Sequence, residues 1–219
     1  MSGEERIGSV GGEFDPAEYL RQERRQARRA ARAFIVAVRA GDVEQFLMVV
    51  DLLHNETVDG WRLAMRGVAR LQAVDRVIQQ AFLNVWIESK HLALRIGDRP
   101  TFARAARKLF PRDYAGPPLR LYRGTHWRER RSRLYGFSWS TQREIAQRFA
   151  DQHSEAATQL AASPYHTEPP DHLAGIVLTT VAPPEAILLQ REEEGYYDEG
   201  EVVVDPFRLG AIDIDRGRD

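Results

Sequence analysis

The chain has 219 residues, of which 43% are hydrophobic, and its 31 basic and 32 acidic side chains give a formal net charge of -1. This composition predicts a globular protein with a sizeable core and excludes a chain-wide basic field that would recruit nucleic acid or an anionic membrane. The absence of cysteine excludes disulfides, thiol nucleophiles and thiolate metal sites.

The chain contains no run of about 18 apolar residues that could span a membrane. Its first residues include neither a basic segment nor an apolar one of the kind that marks a secretory signal. We therefore expect a cytoplasmic protein without a membrane partner. Because residues 1–14 are small, polar and rich in glycine, they are predicted to form a disordered lead-in.

Residues 15–114 are predicted to be helical almost throughout. Asp15 followed by Pro16 is typical of an N-cap and a first helical turn, and Asp42 is expected to cap the next helix. Apolar residues at helical spacing indicate the extent of each element. The predicted helices span residues 15–38, 42–53, 59–95 and 99–110, and Gly67 or Asn84 could break the third of them.

Beyond a linker at residues 115–118, the pattern changes to short apolar runs that predict strands, with one helix from Gln142 to about Ala162 among them. The predicted strands span residues 119–123, 136–140, 175–181, 186–189, 201–204 and 211–214. Strands with few helices between them favour a mostly antiparallel sheet. We therefore expect an α+β fold, with a helical half followed by a sheet domain over residues 119–219.

The first of three motifs that carry candidate chemistry is a strand ending in an arginine and a glycine. Alternation places Leu119, Leu121 and Arg123 on one face, so the guanidinium is expected at the margin of the apolar side. Its planar fork suits the oxygens of a phosphate, and Gly124 would let a ligand approach the backbone. An edge arginine paired with a surface carboxylate is the alternative interpretation.

The second motif is a strand that turns directly into a helix. Alternation places Ser138 and Ser140 on one face, with Phe137, Trp139 and Thr141 on the other, so that the two serine hydroxyls point together. Thr141, three residues before a glutamate, has the spacing of a capping box. Serines on a solvated strand face are the alternative interpretation of the pair.

The third motif is a pair of glutamates, Glu199 and Glu201, at the entry to the apolar strand 201–204. A period of two predicts that both carboxylates project the same way. Like charges held together disfavour joint ionisation, so this pairing is costly unless a site uses it. A surface acidic turn is the alternative, since three more glutamates occupy residues 192–194.

In this chain order, the three motifs resemble those of the Arg-Ser-Glu mono-ADP-ribosyltransferases, a family that includes bacterial toxins and phage-encoded enzymes. Arg123 matches the family's first-strand arginine, which binds the phosphates of NAD. Residues 138–140, followed by Ala146 and Phe149-Ala150, match its Ser-Thr-Ser strand and the helix after it, although Trp139 replaces the usual threonine.

The glutamates at residues 199–201 match the family's Glu-x-Glu motif, and the resemblance extends from about Leu119 to Ile214. Only fifteen residues separate Arg123 from Ser138. This interval leaves little room for the helices that many members insert there, so a compact variant of the fold is implied.

The resemblance implies a transferase that uses NAD as its substrate. Glu201 would engage the nicotinamide ribose and stabilise an oxocarbenium-like transition state. Glu199 would orient or deprotonate the acceptor, which in this family accompanies transfer to arginine. Ser138 would hold the site through hydrogen bonds, with Ser140 supporting the strand and also lining the NAD site.

Target recognition is implied for Tyr196 and Tyr197, which precede the glutamates, although tyrosines in a loop are also ordinary. The target protein itself cannot be read from the sequence. The histidines show no metal-ligand spacing, so no metal is predicted. His126 is expected in an exposed loop.

Two other functions fit the same predicted fold. Water could replace the acceptor, which would make the chain an NAD glycohydrolase. Alternatively, Trp139 could mark an inactive transferase-like domain carried by a helical interaction module, whose helical half would bind a partner or an inhibitor. The arginines between residues 21 and 32 are predicted to form a solvated helix face, so nucleic-acid binding is not expected.

Overall fold

The computed structural model describes residues 15–55, 57, 59–89, 92–162, 172–191 and 199–217. A helical half precedes a six-stranded antiparallel sheet, which confirms the α+β fold predicted from the sequence. Within the described ranges, no helix is both long enough and apolar enough to cross a bilayer.

The described part of the helical half contains α1 (Pro16–Ala40), α2 (Val43–Asn55), α3 (Gly60–Val68), α4 (Arg76–Glu88), α5 (Leu92–Ile96) and α6 (Arg99–Leu109). Two of the predicted caps are confirmed, because Asp15 accepts a hydrogen bond from the N–H of Ala17 at 2.8 Å and Asp42 accepts one from the N–H of Gln45 at 2.9 Å. These carboxylates satisfy N–H groups that a helix leaves unpaired at its start.

The single helical stretch predicted for residues 59–95 is three helices instead, α3, α4 and α5. The break falls just after Gly67, one of the two positions at which it was expected, whereas Asn84 lies inside α4. A Cβ atom at residue 67 would overlap the side chain of Ile35 on α1. This glycine therefore allows α3 to pack closely on α1.

The carboxy-terminal half contains β1 (Leu119–His126), α7 (Trp127–Ser132), β2 (Ser138–Ser140), α8 (Arg143–Ala161), β3 (Gly175–Ala182), β4 (Ile187–Gln190), β5 (Glu201–Val204) and β6 (Ile212–Ile214). The strand order is β4-β5-β2-β1-β3-β6. All of the predicted strands are confirmed, with ends that shift by up to three residues. The short helix α7 was not predicted.

The helical half and the sheet share one buried core. Phe137 and Val203 belong to the same buried cluster as the residues of α1 to α6. The ring centroids of Phe102 and Phe137 are 4.7 Å apart. The fully buried Asp205, next to β5, lies 3.1 Å from Arg107 of α6. The edge of the sheet formed by β4 and β5 is therefore fixed against α6.

The predicted alternation through the serine motif is wrong at Phe137. Phe137 packs into the cluster shared with the helical half, whereas Trp139 packs into a separate cluster with Leu121 and Val202. The reason is that β2 begins only at Ser138, so the period of two does not extend back to residue 137.

Helix α8 lies across β1 and β3, and two glycines make this packing possible. A Cβ atom at Gly124 would overlap the carbonyl oxygen of Ala146 and lie 2.6 Å from Cβ of Phe149. A Cβ atom at Gly175 would overlap the carbonyl group of Ala150. The close approach expected at Gly124 is therefore made by the backbone of α8, which corrects the prediction that this glycine leaves room for a ligand.

Gly124→Ala should lower the free energy of unfolding by about 1–3 kcal/mol, because the added methyl group forces α8 away from β1. The matched control is Gly210→Ala, since its Cβ would have no described heavy atom within 4 Å apart from those of Gly210 and its two chain neighbours. Urea denaturation followed by circular dichroism measures both variants. Equal effects of the two substitutions would contradict this account of the packing.

Candidate active site

The three motif segments lie on neighbouring strands, since β5, β2 and β1 are adjacent in the sheet. Ser140 is paired with Glu201 on one side and with Tyr122 on the other. Residues directly opposite each other in an antiparallel pair project to the same face. We call the face that carries Tyr122, Ser140 and Glu201 the serine face.

Arg123 belongs to the opposite face of the sheet, because it neighbours Tyr122 in β1 and side chains alternate along a strand. Its guanidinium nevertheless reaches the serine strand. Nε lies 2.8 Å from Oε1 of Glu129, Nη2 lies 3.2 Å from Oε2, and Nη1 donates to the carbonyl oxygen of Ser138 at 2.7 Å. Arg123 thus contacts the main chain of the serine motif rather than its hydroxyls.

Glu129 is the residue that sequence reasoning missed. It is 8% exposed, and besides Arg123 it accepts hydrogen bonds from the hydroxyl of Thr125 at 3.0 Å and from the N–H of Gly136 at 2.8 Å. Burial alone would raise the pKa of Glu129, but the charge of Arg123 and these hydrogen bonds outweigh it and lower the pKa to about 2. The carboxylate is therefore ionised at neutral pH, and each of its two oxygens accepts two hydrogen bonds.

Arg123 is paired with a carboxylate, as the alternative interpretation of its motif held, but that carboxylate is buried and not on the surface. Glu129 lies on α7, a six-residue helix that begins where β1 ends. The ring of His126 caps this helix by accepting a hydrogen bond from the N–H of Glu129 at 3.2 Å. The sequence signal that could have indicated this cap is the spacing of three residues between His126, at the end of the strand, and Glu129.

Ser140 forms two hydrogen bonds that fix the turn from β2 into α8. Its hydroxyl donates to the carbonyl oxygen of Glu199 at 2.7 Å and accepts from the N–H of Gln142 at 2.9 Å. The capping box predicted for Thr141 is wrong, since the N-cap residue of α8 is Gln142 and the hydroxyl of Thr141 is directed at Gly200. Ser140 therefore supports the strand, in agreement with part of its expected role.

Trp139 is 2% exposed, and its Nε1 donates to the carbonyl oxygen of Gly136 at 3.1 Å. Its side chain packs with Leu121 and Val202, away from Ser138 and Ser140. Tryptophan at position 139 thus leaves the two serines on their expected common face.

Glu201 begins β5 and is partly buried, with 19% of its side chain exposed. Its Oε2 lies 3.1 Å from Nη1 of Arg191, and the N–H of Arg191 donates to the carbonyl oxygen of Glu201 at 3.1 Å. Arg191 directly follows β4, where a lone arginine carries no sequence signal. The structure therefore places Arg191 beside the candidate catalytic glutamate.

Glu199 does not share the strand geometry of Glu201, which corrects the prediction that both carboxylates project the same way. Gly200 between them has φ +54°, a left-handed conformation that breaks the alternation. Glu199 itself is exposed and precedes β5. Its described contact with the serine motif is made by its main-chain carbonyl group.

His126 is half-buried at the end of β1 and does not lie in the exposed loop expected for it. Its ring lies edge-to-face with that of His153 on α8, with centroids 5.1 Å apart. Burial lowers the pKa of both histidines, and the charge of Glu129 opposes this shift. Both rings lie beside the Arg123–Glu129 pair.

Tyr196 and Tyr197 lie outside the described residues. Two surface cavities, of about 600 and 430 Å³, are lined by residues other than Arg123, Ser138 and Glu201. In the ranges that the structure describes, no group of three or more histidine or carboxylate side chains could hold a metal ion.

Comparison of the chain with models of protein families, with curated proteins and with solved structures found no match.

Glu129→Gln should make unfolding less sensitive to acid. The pKa of Glu129 is lower in the folded chain than its ordinary value of 4.5, so its ionised form stabilises the fold above pH 4.5 and this contribution is lost as the pH falls towards 2. The stability difference between the wild type and Glu129→Gln should shrink by about 3 kcal/mol over that window. Urea denaturation at several pH values measures it, and a constant difference would contradict the assignment.

Proposed function

We propose that this chain is an NAD-dependent mono-ADP-ribosyltransferase that modifies a protein at arginine in the cytoplasm of a bacterium or a host cell. The observation that carries the proposal is the pairing of the serine and glutamate motifs, with Ser140 directly opposite Glu201. Arg123 joins the same strand through the carbonyl oxygen of Ser138. Three segments that resemble the family's motifs are thus neighbours in the folded chain.

The proposed reaction breaks the bond between nicotinamide and its ribose and forms a bond from that ribose carbon to a guanidinium nitrogen of the target. Nicotinamide leaves with the bonding electron pair, so positive charge develops on the ribose. A carboxylate beside the ribose stabilises this oxocarbenium-like state. Glu201 is proposed for this task because its partly buried carboxylate is less screened by solvent than an exposed one.

Arg191 supports this assignment by orienting Glu201, since its Nη1 binds one carboxylate oxygen. Within the described residues, the guanidinium of Arg123 uses three of its five N–H donors on Glu129 and Ser138, and we propose that the other two bind phosphate oxygens of NAD. Ser138, on the serine face, is proposed to hydrogen-bond the ribose, whereas the hydroxyl of Ser140 is used by Glu199 and Gln142 and supports the strand. The reaction as proposed uses no metal.

Hydrolysis of NAD is the second candidate function, with water as the acceptor. Hydrolysis is favoured by the left-handed conformation of Gly200, because it directs the exposed Glu199 away from the strand alternation that places Glu201. Transfer to arginine requires a base that receives a proton from the incoming guanidinium, and Glu199 is proposed for that step. Target recognition by Tyr196 and Tyr197, and partner binding by the helical half, belong to the proposal as well.

The two functions are separated by incubating the protein with labelled NAD and cell lysate. Labelled protein bands support transfer, whereas release of nicotinamide without labelling supports hydrolysis. If neither occurs, the enzyme proposal fails and an inactive domain with a helical binding module remains.

Glu201→Gln should lower the rate of either reaction by at least about 100-fold, because an amide cannot stabilise the developing positive charge as a carboxylate does. The matched control is Glu155→Gln, an exposed position on α8 that should keep the wild-type rate. Nicotinamide release measured at saturating NAD decides the question. A Glu201→Gln enzyme as fast as the wild type would show that the mechanism is wrong.

Glu199→Ala should reduce transfer to protein by about 10-fold or more while hydrolysis changes by less than about 3-fold, because a guanidinium must give a proton to a base before it can attack, whereas an attacking water can give its proton to solvent. Both products are measured in the same reaction, with Glu155→Ala as the control. A parallel loss of transfer and hydrolysis would assign Glu199 to NAD itself and not to the acceptor.

A further inference from the structure

The strand that carries both serines is poorly anchored to its neighbour. β2 has three residues, and its pairing with β1 consists of one residue pair, Tyr122 with Ser140. By contrast, β1 and β3 are paired over eight positions. Main-chain hydrogen bonds therefore hold β2 firmly to β5 but hold its first residue only weakly to β1.

Side chains supply the missing connection. Glu129 accepts a hydrogen bond from the N–H of Gly136, two residues before Ser138, and holds the guanidinium of Arg123 through both of its oxygens. Arg123 in turn donates to the carbonyl oxygen of Ser138. We call these four groups the clamp: the Glu129 carboxylate, the Arg123 guanidinium, the Gly136 N–H and the Ser138 carbonyl.

We propose that Glu129 is a positioning residue that, through Arg123, replaces the missing main-chain ladder between β1 and β2. In this way it sets the positions of Ser138 and Ser140 beside Glu201. The catalytic consequence rests on the proposed function, whereas the structural consequence does not.

Burial makes the clamp dependent on each of its groups. Glu129 is 8% exposed and the Arg123 side chain is 23% exposed, so little water is available to replace a lost partner. A buried carboxylate needs several hydrogen-bond donors, and besides Arg123 and Gly136 the hydroxyl of Thr125 donates to Glu129. In addition, a Cβ atom at Gly136 would overlap the guanidinium of Arg123, so that the arginine lies directly against the chain entering β2.

Glu129→Gln tests the clamp with almost no change in volume. Glutamine keeps one acceptor oxygen for Gly136 but turns an N–H donor towards Arg123, which has no acceptor to receive it. Amide hydrogen exchange of the full chain should become about 100-fold faster at residues 138–140, because one partner of a buried ion pair is lost. Amides of α1 and α2 that exchange through local opening should stay within about 3-fold of the wild type, whereas amides that exchange only through global unfolding should follow the loss of overall stability.

Glu155→Gln is the matched control and should leave exchange at residues 138–140 unchanged. Unchanged exchange there in Glu129→Gln would overturn the proposal, and so would an equal acceleration of the locally opening amides throughout the chain. If Glu129→Gln does not fold, Arg123→Lys takes its place, because one ammonium group cannot reproduce the planar contacts to Glu129 and Ser138. The same local acceleration is then expected, and its absence would overturn the proposal.

Steady-state kinetics give a second readout that a purely structural role would not produce. In Glu129→Gln, kcat should fall at least about 10-fold, and by a larger factor than the KM for NAD rises. A rise in KM with kcat unchanged would overturn positioning of the serine strand. If the wild type neither transfers nor hydrolyses NAD, the proposed function fails while hydrogen exchange still decides the clamp. If the wild type is active and exchange at residues 138–140 does not respond, the clamp alone fails.

Discussion

A carboxylate that is taken out of water must be matched by donors from the protein, and the buried Glu129 imposes this constraint on the sheet half of the chain. Its donors come from β1 and from the segment that enters β2. These pieces of chain therefore cannot shift independently without leaving a charge unpaired. The geometry of the candidate site depends on the same pairing, because Arg123, which binds Glu129, also donates a hydrogen bond to the carbonyl oxygen of Ser138.

The helical half contributes to the same geometry from the other side. Phe137 and Val203 pack in the cluster formed by the helices, so β5 and the residue that precedes β2 both contact that half. Asp205 continues this contact through its ion pair with Arg107. The helices therefore support the side of the sheet on which Glu201 lies.

The sequence predicted most elements because caps and periodicity are local signals, as Asp15 and the strand of Glu201 illustrate. It also selected residues that are neighbours in the sheet. It could not predict what they contact, because the partner of Arg123 lies in a short arginine-rich helix without apolar periodicity. Likewise, the direction of Glu199 depends on the left-handed φ of Gly200, which alternation ignores.

The brevity of β2 has a consequence for how the chain tolerates change. A slip of β2 by one residue against β5 would exchange the two faces, because side chains alternate with a period of two. Such a slip would move Trp139 to the serine face and place a serine hydroxyl among Leu121 and Val202. The large indole ring of Trp139 thus fixes the register of β2, because moving it out of this cluster makes the shifted pairing with β5 costly in free energy. The three residues of β2 are too few to fix that register through main-chain pairing alone.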